Sequence, residues 1–290
     1  MHSFLRAIGY STLMSKSEER KFINDIIENP SKIEEFENTQ GYHFVELTKE
    51  VNPCMGIKIC GEYDENGKFQ MDYYYPFFRS TGDTTIEEIS VEKYADHESY
   101  AGICDEMKLG ISLIFYLQNV AEYLSRHTID FSRISTTLSA LSIEGKIILP
   151  ICQDEKQIRT SEKNDRNRSH LIAAAREGDE EAIESLTLED IDTYSLLSRR
   201  VMREDILSIV DQSFMPYGIE SDQYAIIGEI LSYHMEENSD TKEKICVMEI
   251  SCNEMVYEIC INEKDLLGEP AIGRRFKGSI WMQGHINFYY

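Results

Sequence analysis

The stretch Ile57-Lys-Ile-Cys-Gly-Glu-Tyr-Asp-Glu-Asn-Gly-Lys-Phe-Gln-Met-Asp-Tyr-Tyr-Tyr75 carries the clearest local structure in the chain. Two runs of alternating side chains flank Asp64-Glu65-Asn66-Gly67, which reads as a β-hairpin. Parity selects the loop. A two-residue Asn66-Gly67 turn would set Ile57, Ile59 and Tyr63 opposite a mixture that includes Asp72 and Gln70. A three-residue loop, with Gly67 left-handed in a bulge, pairs Tyr63 with Phe69, Gly61 with Met71, Ile59 with Tyr73 and Ile57 with Tyr75. That register gives one apolar face and one polar face holding Lys58, Cys60, Glu62, Gln70 and Asp72. Pro76 then places the second strand at or near a sheet edge.

Outward from the hairpin, Phe4–Tyr10 reads as a strand. Ser15 and Glu18 form a capping box before a helix with the apolar stripe Phe22, Ile23, Ile26 and Ile27, which Asn29-Pro30 ends. A further helical turn starts at Ser31 with Glu34. Residues 81–98 are polar and loop-like. From Cys104 to Arg126, Leu113, Leu117, Val120 and Leu124 recur at helical spacing, so this segment is expected as the central helix of the first domain. Ile134–Pro150 is expected as a hairpin turning at Glu144-Gly145. Strands arranged in hairpins beside two packed helices give an α+β class with an antiparallel, hairpin-rich sheet.

Residues 153–170 are crowded with mixed charge and nearly free of large apolar side chains, which marks a polar linker. The expected domains are therefore 1–152 and 171–290. The second begins with a helical segment, 171–204, in which Gly178 stops one helix and Asp179 caps the next; Thr187 and Asp190 open another. Over 205–290 the pattern changes to strands at Ile206–Val210, Tyr224–Tyr233, Ile245–Cys252, Met255–Ile261 and Arg275–Phe288. These predict a small antiparallel β-barrel or curled sheet.

Charge narrows the partners. Of 290 residues, 52 are acidic and 29 basic, a net charge of −23. Affinity for nucleic acid depends on Lys and Arg replacing condensed counterions, so no nucleic-acid partner is expected, and anionic membranes are disfavoured equally. No export signal is evident, and the most apolar window, Gly110–Leu124, is broken by Gln118, Asn119 and Glu122. The expected location is the cytoplasm. Seven cysteines, with no C-x-x-C pair, fit reduced thiols, Cys246 and Cys252 acting as small core hydrophobes on one strand face. No cofactor or metal is indicated.

Phosphate-binding glycine loops, the H-E-x-x-H metal motif and the G-x-S-x-G elbow are all missing. The histidines are scattered; His97, between Asp96 and Glu98, is the one with adjacent carboxylates to raise its pKa. Arg199 and Arg203 give an R-x-x-x-R spacing similar to that of PilZ domains, which bind cyclic dinucleotides. The partner motif D/N-x-S-x-x-G fails, because Pro216 stands where glycine belongs in Asp211-Gln-Ser-Phe-Met-Pro216.

The last strand is the anomaly. Alternation from Arg275 sets Phe276, Ile280, Met282, Ile286 and Phe288 on one face, and Lys277, Ser279, Trp281, Gln283, His285 and Asn287 on the other. The single tryptophan thus falls on the polar side, which suits a binding groove or a subunit interface between copies of the chain. Lys277, Trp281, Gln283 and His285 are the candidate binding residues. The expected function is a noncatalytic cytoplasmic protein that binds a protein or small-molecule partner. The alternatives are a hydrolase-like enzyme with an interdomain site using His97 or His285, and a cyclic dinucleotide sensor.

Phe4-Leu-Arg-Ala-Ile-Gly9, Gly61-Glu-Tyr-Asp64, Ser99-Tyr-Ala-Gly-Ile-Cys-Asp105, Ser112-Leu-Ile-Phe-Tyr-Leu-Gln-Asn119 and Arg275-Phe-Lys-Gly-Ser-Ile-Trp-Met-Gln-Gly284 resemble blocks of an uncharacterised domain-of-unknown-function family from anaerobic Gram-positive bacteria. The resemblance runs along the whole chain. It implies a bacterial cytosolic protein and carries with it no catalytic residue, cofactor or substrate.

Overall fold

A computed structural model describes residues 2–12, 15–37, 43–82, 84–85, 89–94, 99–106, 111–126, 134–151, 171–175, 178–188, 206–218, 221–253 and 255–289. The chain divides into two compact units, Met1–Ile148 with Gln212–Tyr290, and Leu149–Asp211. The larger unit is mostly β.

Among the described residues, its first sheet has four antiparallel strands in chain order: β1 (Lys32–Glu37), β2 (His43–Asn52), β3 (Met55–Tyr63) and β4 (Phe69–Phe78). The hairpin forms as expected near its loop, with Gly67 at φ 73, Tyr63 opposite Phe69 and Gly61 opposite Met71. Beyond that point a bulge slips the register by one, so Lys58 faces Tyr75 and Cys60 faces Tyr73. The extra residue, Asp72 on β4, moves Tyr73 and Tyr75 onto the face of Cys60 and Lys58, and β3 is covered on both faces, so Lys58 and Cys60 are buried along with Ile57 and Ile59. As Pro76 implied, β4 is an edge strand.

The second sheet is mixed. It contains β5 (Ile89–Lys93), β6 (Tyr100–Glu106), β7 (Ile111–Leu117), β8 (Ile134–Ile148), β9 (Ser213–Pro216), β10 (Gln223–Glu237), β11 (Lys244–Cys252), β12 (Met255–Asn262), β13 (Leu266–Leu267) and β14 (Arg275–Phe288). The pairings β8–β12–β11–β10–β14–β8 return to their start, which makes a ring of strands within a mixed sheet rather than the expected small antiparallel barrel or curled sheet. The ring includes a parallel β8–β12 pair and a strand from the N-terminal half of the chain.

Several expected elements change type. The central helix over 104–126 is instead the end of β6, all of β7, and the short helix α2, Val120–Ser125, which follows the 13-residue α1 (Lys16–Glu28) in chain order. Leu113, Phe115 and Leu117 are fully buried with strand period, and aromatic and β-branched neighbours favour that choice over helical spacing. Ser3–Ile8 is a 3₁₀ helix, not a strand: Phe4, Leu5, Ala7 and Ile8 are all buried, a helical pattern, and Gly9 closes it at φ 95. The turn expected at Ser31 is β1, and the polar stretch 81–98 contains β5. Ile134–Ile148 does not turn at Glu144-Gly145. Gly145 stays in the strand opposite Gly278, and a Cβ there would stand 2.4 Å from the ring of Phe276. Ile206–Ser208 is a 3₁₀ turn rather than a strand. The capping box of Ser15 and Glu18 forms as read.

In the smaller unit, residues 171–175 and 180–188 are helical. Gly178 lies at φ 90, and the Asp179 carboxylate accepts from the N–H groups of Glu181 and Ala182, as expected of stop and cap. The linker 153–170, His97, Arg199 and Arg203 lie outside the described residues. Among the described residues no helix is long and apolar enough to cross a membrane.

Candidate functional site

The register of β8 with β14 is unbroken from Ile280 to Phe288 and sets four pairs on one face in succession: Trp281 opposite Leu141, Gln283 opposite Ser139, His285 opposite Thr137, and Asn287 opposite Ser135. The face grows more polar along its length. What covers it changes at each step.

At the first step the indole of Trp281 does not point outward. It is 5% exposed and packs within 5.1–5.2 Å, ring centre to ring centre, of His2, Phe4 and Tyr116. Alternation assigned Trp281 to the right face, but the N-terminal 3₁₀ segment covers that face. The indole N–H donates to Asp222 Oδ2 at 2.8 Å, and burial pushes the Asp222 carboxyl up. Lys277, earlier in the strand, is exposed, so Lys277 and Trp281 do not share one open surface.

Gln283, fully buried, forms a joint between the sheets. An edge strand inside a protein leaves backbone groups that require partners. The amide of Gln283 accepts from Phe78 N–H at 3.2 Å and donates to Pro76 O at 2.9 Å. Gln118 Nε2 donates to Phe78 O at 2.7 Å and to Gln283 Oε1 at 2.8 Å, and Ser139 Oγ donates to Phe78 O at 2.5 Å. Beneath them Lys58 Nζ donates to Gln118 O at 2.7 Å and lies 3.3 Å from Glu46 Oε2, while Tyr75 OH reaches the same carbonyl at 3.2 Å. The bulge in the hairpin is what brings Lys58 and Tyr75 to one face. Burial pushes the Glu46 carboxyl up, against the pull of Lys58.

At His285 the cover ends. After β4 the chain leaves as a loop fastened on β8: Thr137 Oγ1 donates to Gly82 O at 2.6 Å, and Thr84 and Thr85 bond to Thr136. Between loop and strands lies a cleft of about 410 Å³ lined by Arg79, Ser80, Gly82, Thr137, His285, Asn287 and Tyr289. Most polar groups on its walls are engaged. Ser80 Oγ donates to Glu258 at 2.6 Å, Asn287 Nδ2 donates to Thr137 at 2.8 Å and to Ser135 at 3.1 Å, and the Tyr289 phenol lies 3.0 Å from Ser135 Oγ.

Two side chains differ. Arg79 places its guanidinium 5.7 Å from the centre of the Phe77 ring, yet makes no ion pair or side-chain hydrogen bond among the described residues, and its Nε is buried without a partner. The ring of His285 also lacks a hydrogen bond among them, with Nδ1 buried. Burial, and next the charge of Arg79, lower the His285 pKa to about 4, so the imidazole is neutral at pH 7. Of the four residues singled out on the last strand, His285 alone lines this cleft. Sequence reading missed Arg79, which sits six residues before Thr85 with nothing nearby to set it apart. Its one signal is a basic residue directly after the aromatic run Tyr73–Phe78.

A second cleft of about 380 Å³ lies against His43, Phe44, Gly61 and Met71, with Glu62 and Asp72 on its walls. In so acidic a chain an acidic cleft is ordinary, whereas a half-buried arginine with an unsatisfied Nε at a cleft sets the first one apart. Among the described residues no group of three or more His, Cys, Asp or Glu is arranged to hold a metal ion.

The chain belongs to the family described as a domain of unknown function of E. rectale, DUF3881, which matches residues 5–284. The family resemblance in the sequence blocks is thereby shown. No curated protein and no solved structure matches the chain.

Proposed function

We propose that this member of the DUF3881 family is a noncatalytic cytoplasmic binding protein that holds a small molecule in the cleft between Arg79 and His285. One observation carries the reading: two lining side chains, one of them an arginine, have no hydrogen-bond partner among the described residues where their neighbours on the same strands are engaged. Buried polar groups are ordinarily paired, and those left over at a cleft mark where a ligand completes them. Binding is favoured over a hydrolysis using His285 because, among the described lining residues, no hydroxyl is hydrogen-bonded to the imidazole. Ser80 is tied to Glu258 and Thr137 to Gly82 O, and neither is hydrogen-bonded to His285. A screen of small polar metabolites against ¹⁵N-labelled protein tests the reading. Binding here shifts the amides of Arg79, Gly82, Thr137 and Asn287. Binders that map elsewhere, or turnover of a generic ester or phosphate substrate that is lost in His285→Gln, would overturn it.

A further inference from the structure

We infer that the cleft takes a small anion, a carboxylate or a phosphate, gripped by the Arg79 guanidinium. This deepens the binding function proposed above and rests on it. The argument is one of donors and acceptors. Ser80, Thr137 and Asn287 already direct their hydrogens to Glu258, Gly82 O, Thr137 and Ser135. What remains uncommitted among the described lining residues is the guanidinium, which only donates, and a neutral imidazole, which donates through one nitrogen. A surplus of donors selects an acceptor-rich ligand.

Charge points the same way. Among the described residues no carboxylate lies within the 4.0 Å of an ion pair with Arg79. Arg20 and Arg274 lack one too, but Arg20 is exposed and Arg274 donates to Glu269 O, whereas Arg79 is half-buried at the cleft with its Nε unsatisfied. Arg79 is felt at longer range: Lys58, Lys32 and Arg79 together hold the Glu34 carboxyl low against its burial. Among the described residues Glu258, Glu122 and Glu34 bound the cleft's surroundings, and each is engaged, Glu258 by Ser80, Glu122 by Arg126 and Asn119, and Glu34 by Lys32 and Lys58. Contact with the Phe77 ring restrains the guanidinium and leaves its planar fork of N–H groups for a two-oxygen ligand. Lysine lacks that fork, which makes the choice of arginine informative.

The test titrates ¹⁵N-labelled full-length chain with inorganic phosphate, succinate, glucose and putrescine, following the amides of Arg79, Gly82, Thr137 and Asn287. The expected result is saturable movement with phosphate or succinate and none with glucose or putrescine. Arg79→Gln should weaken the anion at least tenfold while its spectrum stays dispersed, and Arg79→Lys should fall between. Phosphate alone or succinate alone identifies the head group. Glucose or putrescine seated in the cleft without the anions overturns the anion class and leaves the binding function standing. Silence from both anions, or equal anion affinity in Arg79→Gln, overturns the inference.

Discussion

Gln283 and His285 stand two residues apart on one face of β14, opposite Ser139 and Thr137 of the same neighbouring strand, and they meet opposite fates. The Gln283 side chain is completely buried and bonded to Phe78 N–H, Pro76 O and Gln118, whereas the His285 ring bonds to nothing among the described residues. The difference comes from β4. At the level of Gln283 it is still extended and presents backbone groups that need partners. At the level of His285 it has become a loop pinned on β8 and has opened a cleft. A polar residue on this face is therefore a fastening where an edge strand meets it and a binding element where the edge strand has departed.

The most damaging way to probe that contrast is Gln283→Leu. It strands Phe78 N–H, Pro76 O and one hydrogen of Gln118 inside the protein, at about 1–3 kcal/mol for each group, so a loss of about 4 kcal/mol is expected in urea unfolding. A cost below about 1 kcal/mol would mean the sheets are held by apolar contact alone. Lys58→Met comes next. Removing one member of a buried ion pair costs about 3–5 kcal/mol, and the low end, about 3, is expected because the Glu46 carboxyl is already pushed up by burial and readily takes a proton. Adding Glu46→Leu removes the unpaired carboxylate but leaves Ala121 N–H without its acceptor, so recovery of about half the loss is expected; no recovery would show that the bonds to Gln118 O and Ala121 N–H outweigh the ion pair.

How much of this was legible follows from which interactions are local. The Gly67 loop, the Ser15 cap and the Gly178–Asp179 stop and cap depend on a few adjacent residues, and each formed as read. Faces on β14 were also legible, since alternation needs only the strand: Trp281, Gln283 and His285 do share one side. Covering was not. Whether Trp281 meets water depends on a segment some 280 positions away in sequence, Ser3–Ile8, and on Tyr116, neither of which leaves a mark near the tryptophan. The same holds for residues 104–126, where leucines at helical spacing also satisfy strand period and the neighbouring sheet decided between them. Arg79 became visible as a site residue only once β4 and β14 were brought together.

Acidification tests the open end of the face. In the folded chain burial and then Arg79 lower the His285 pKa from 6.5 to about 4, with Lys58 adding to this and Glu122 and Glu34 opposing it. Unfolded chains bind the proton near pH 6.5, folded ones only near 4, so the unfolded state holds more protons between these values. Stability is therefore full above about pH 6.5, falls as pH drops toward 4, and levels below it, with His285 contributing about 3 kcal/mol of the change. His285→Gln should flatten that part of the slope. His2, lowered to about 4 by burial, retains its own share in the same window, so the measurement is the difference between the two unfolding curves across pH. Equal slopes in both proteins would place the imidazole in water rather than in the wall of the cleft.

The smallest expected effect on stability sharpens the contrast most. Arg79→Gln removes a charged side chain that neighbours the joint in sequence, one residue beyond Phe78, yet the one close side-chain contact it gives up among the described residues is with the Phe77 ring, about 0.5–1 kcal/mol. Its longer-range pull on Glu34 is shared with Lys58 and Lys32 and, where His285 is protonated, is offset by relief of that imidazolium. Among the described residues no ion pair is lost and no carboxylate is left without its partner, so urea unfolding should place the variant within about 1 kcal/mol of the parent, against about 4 for Gln283→Leu. An added anion should stabilise the parent and not the variant, because a ligand that binds only the folded chain raises its stability in proportion to the logarithm of its concentration. Should Arg79→Gln instead destabilise as strongly as Gln283→Leu, the guanidinium is itself a fastening. The two levels of β14 would then differ in exposure but not in role.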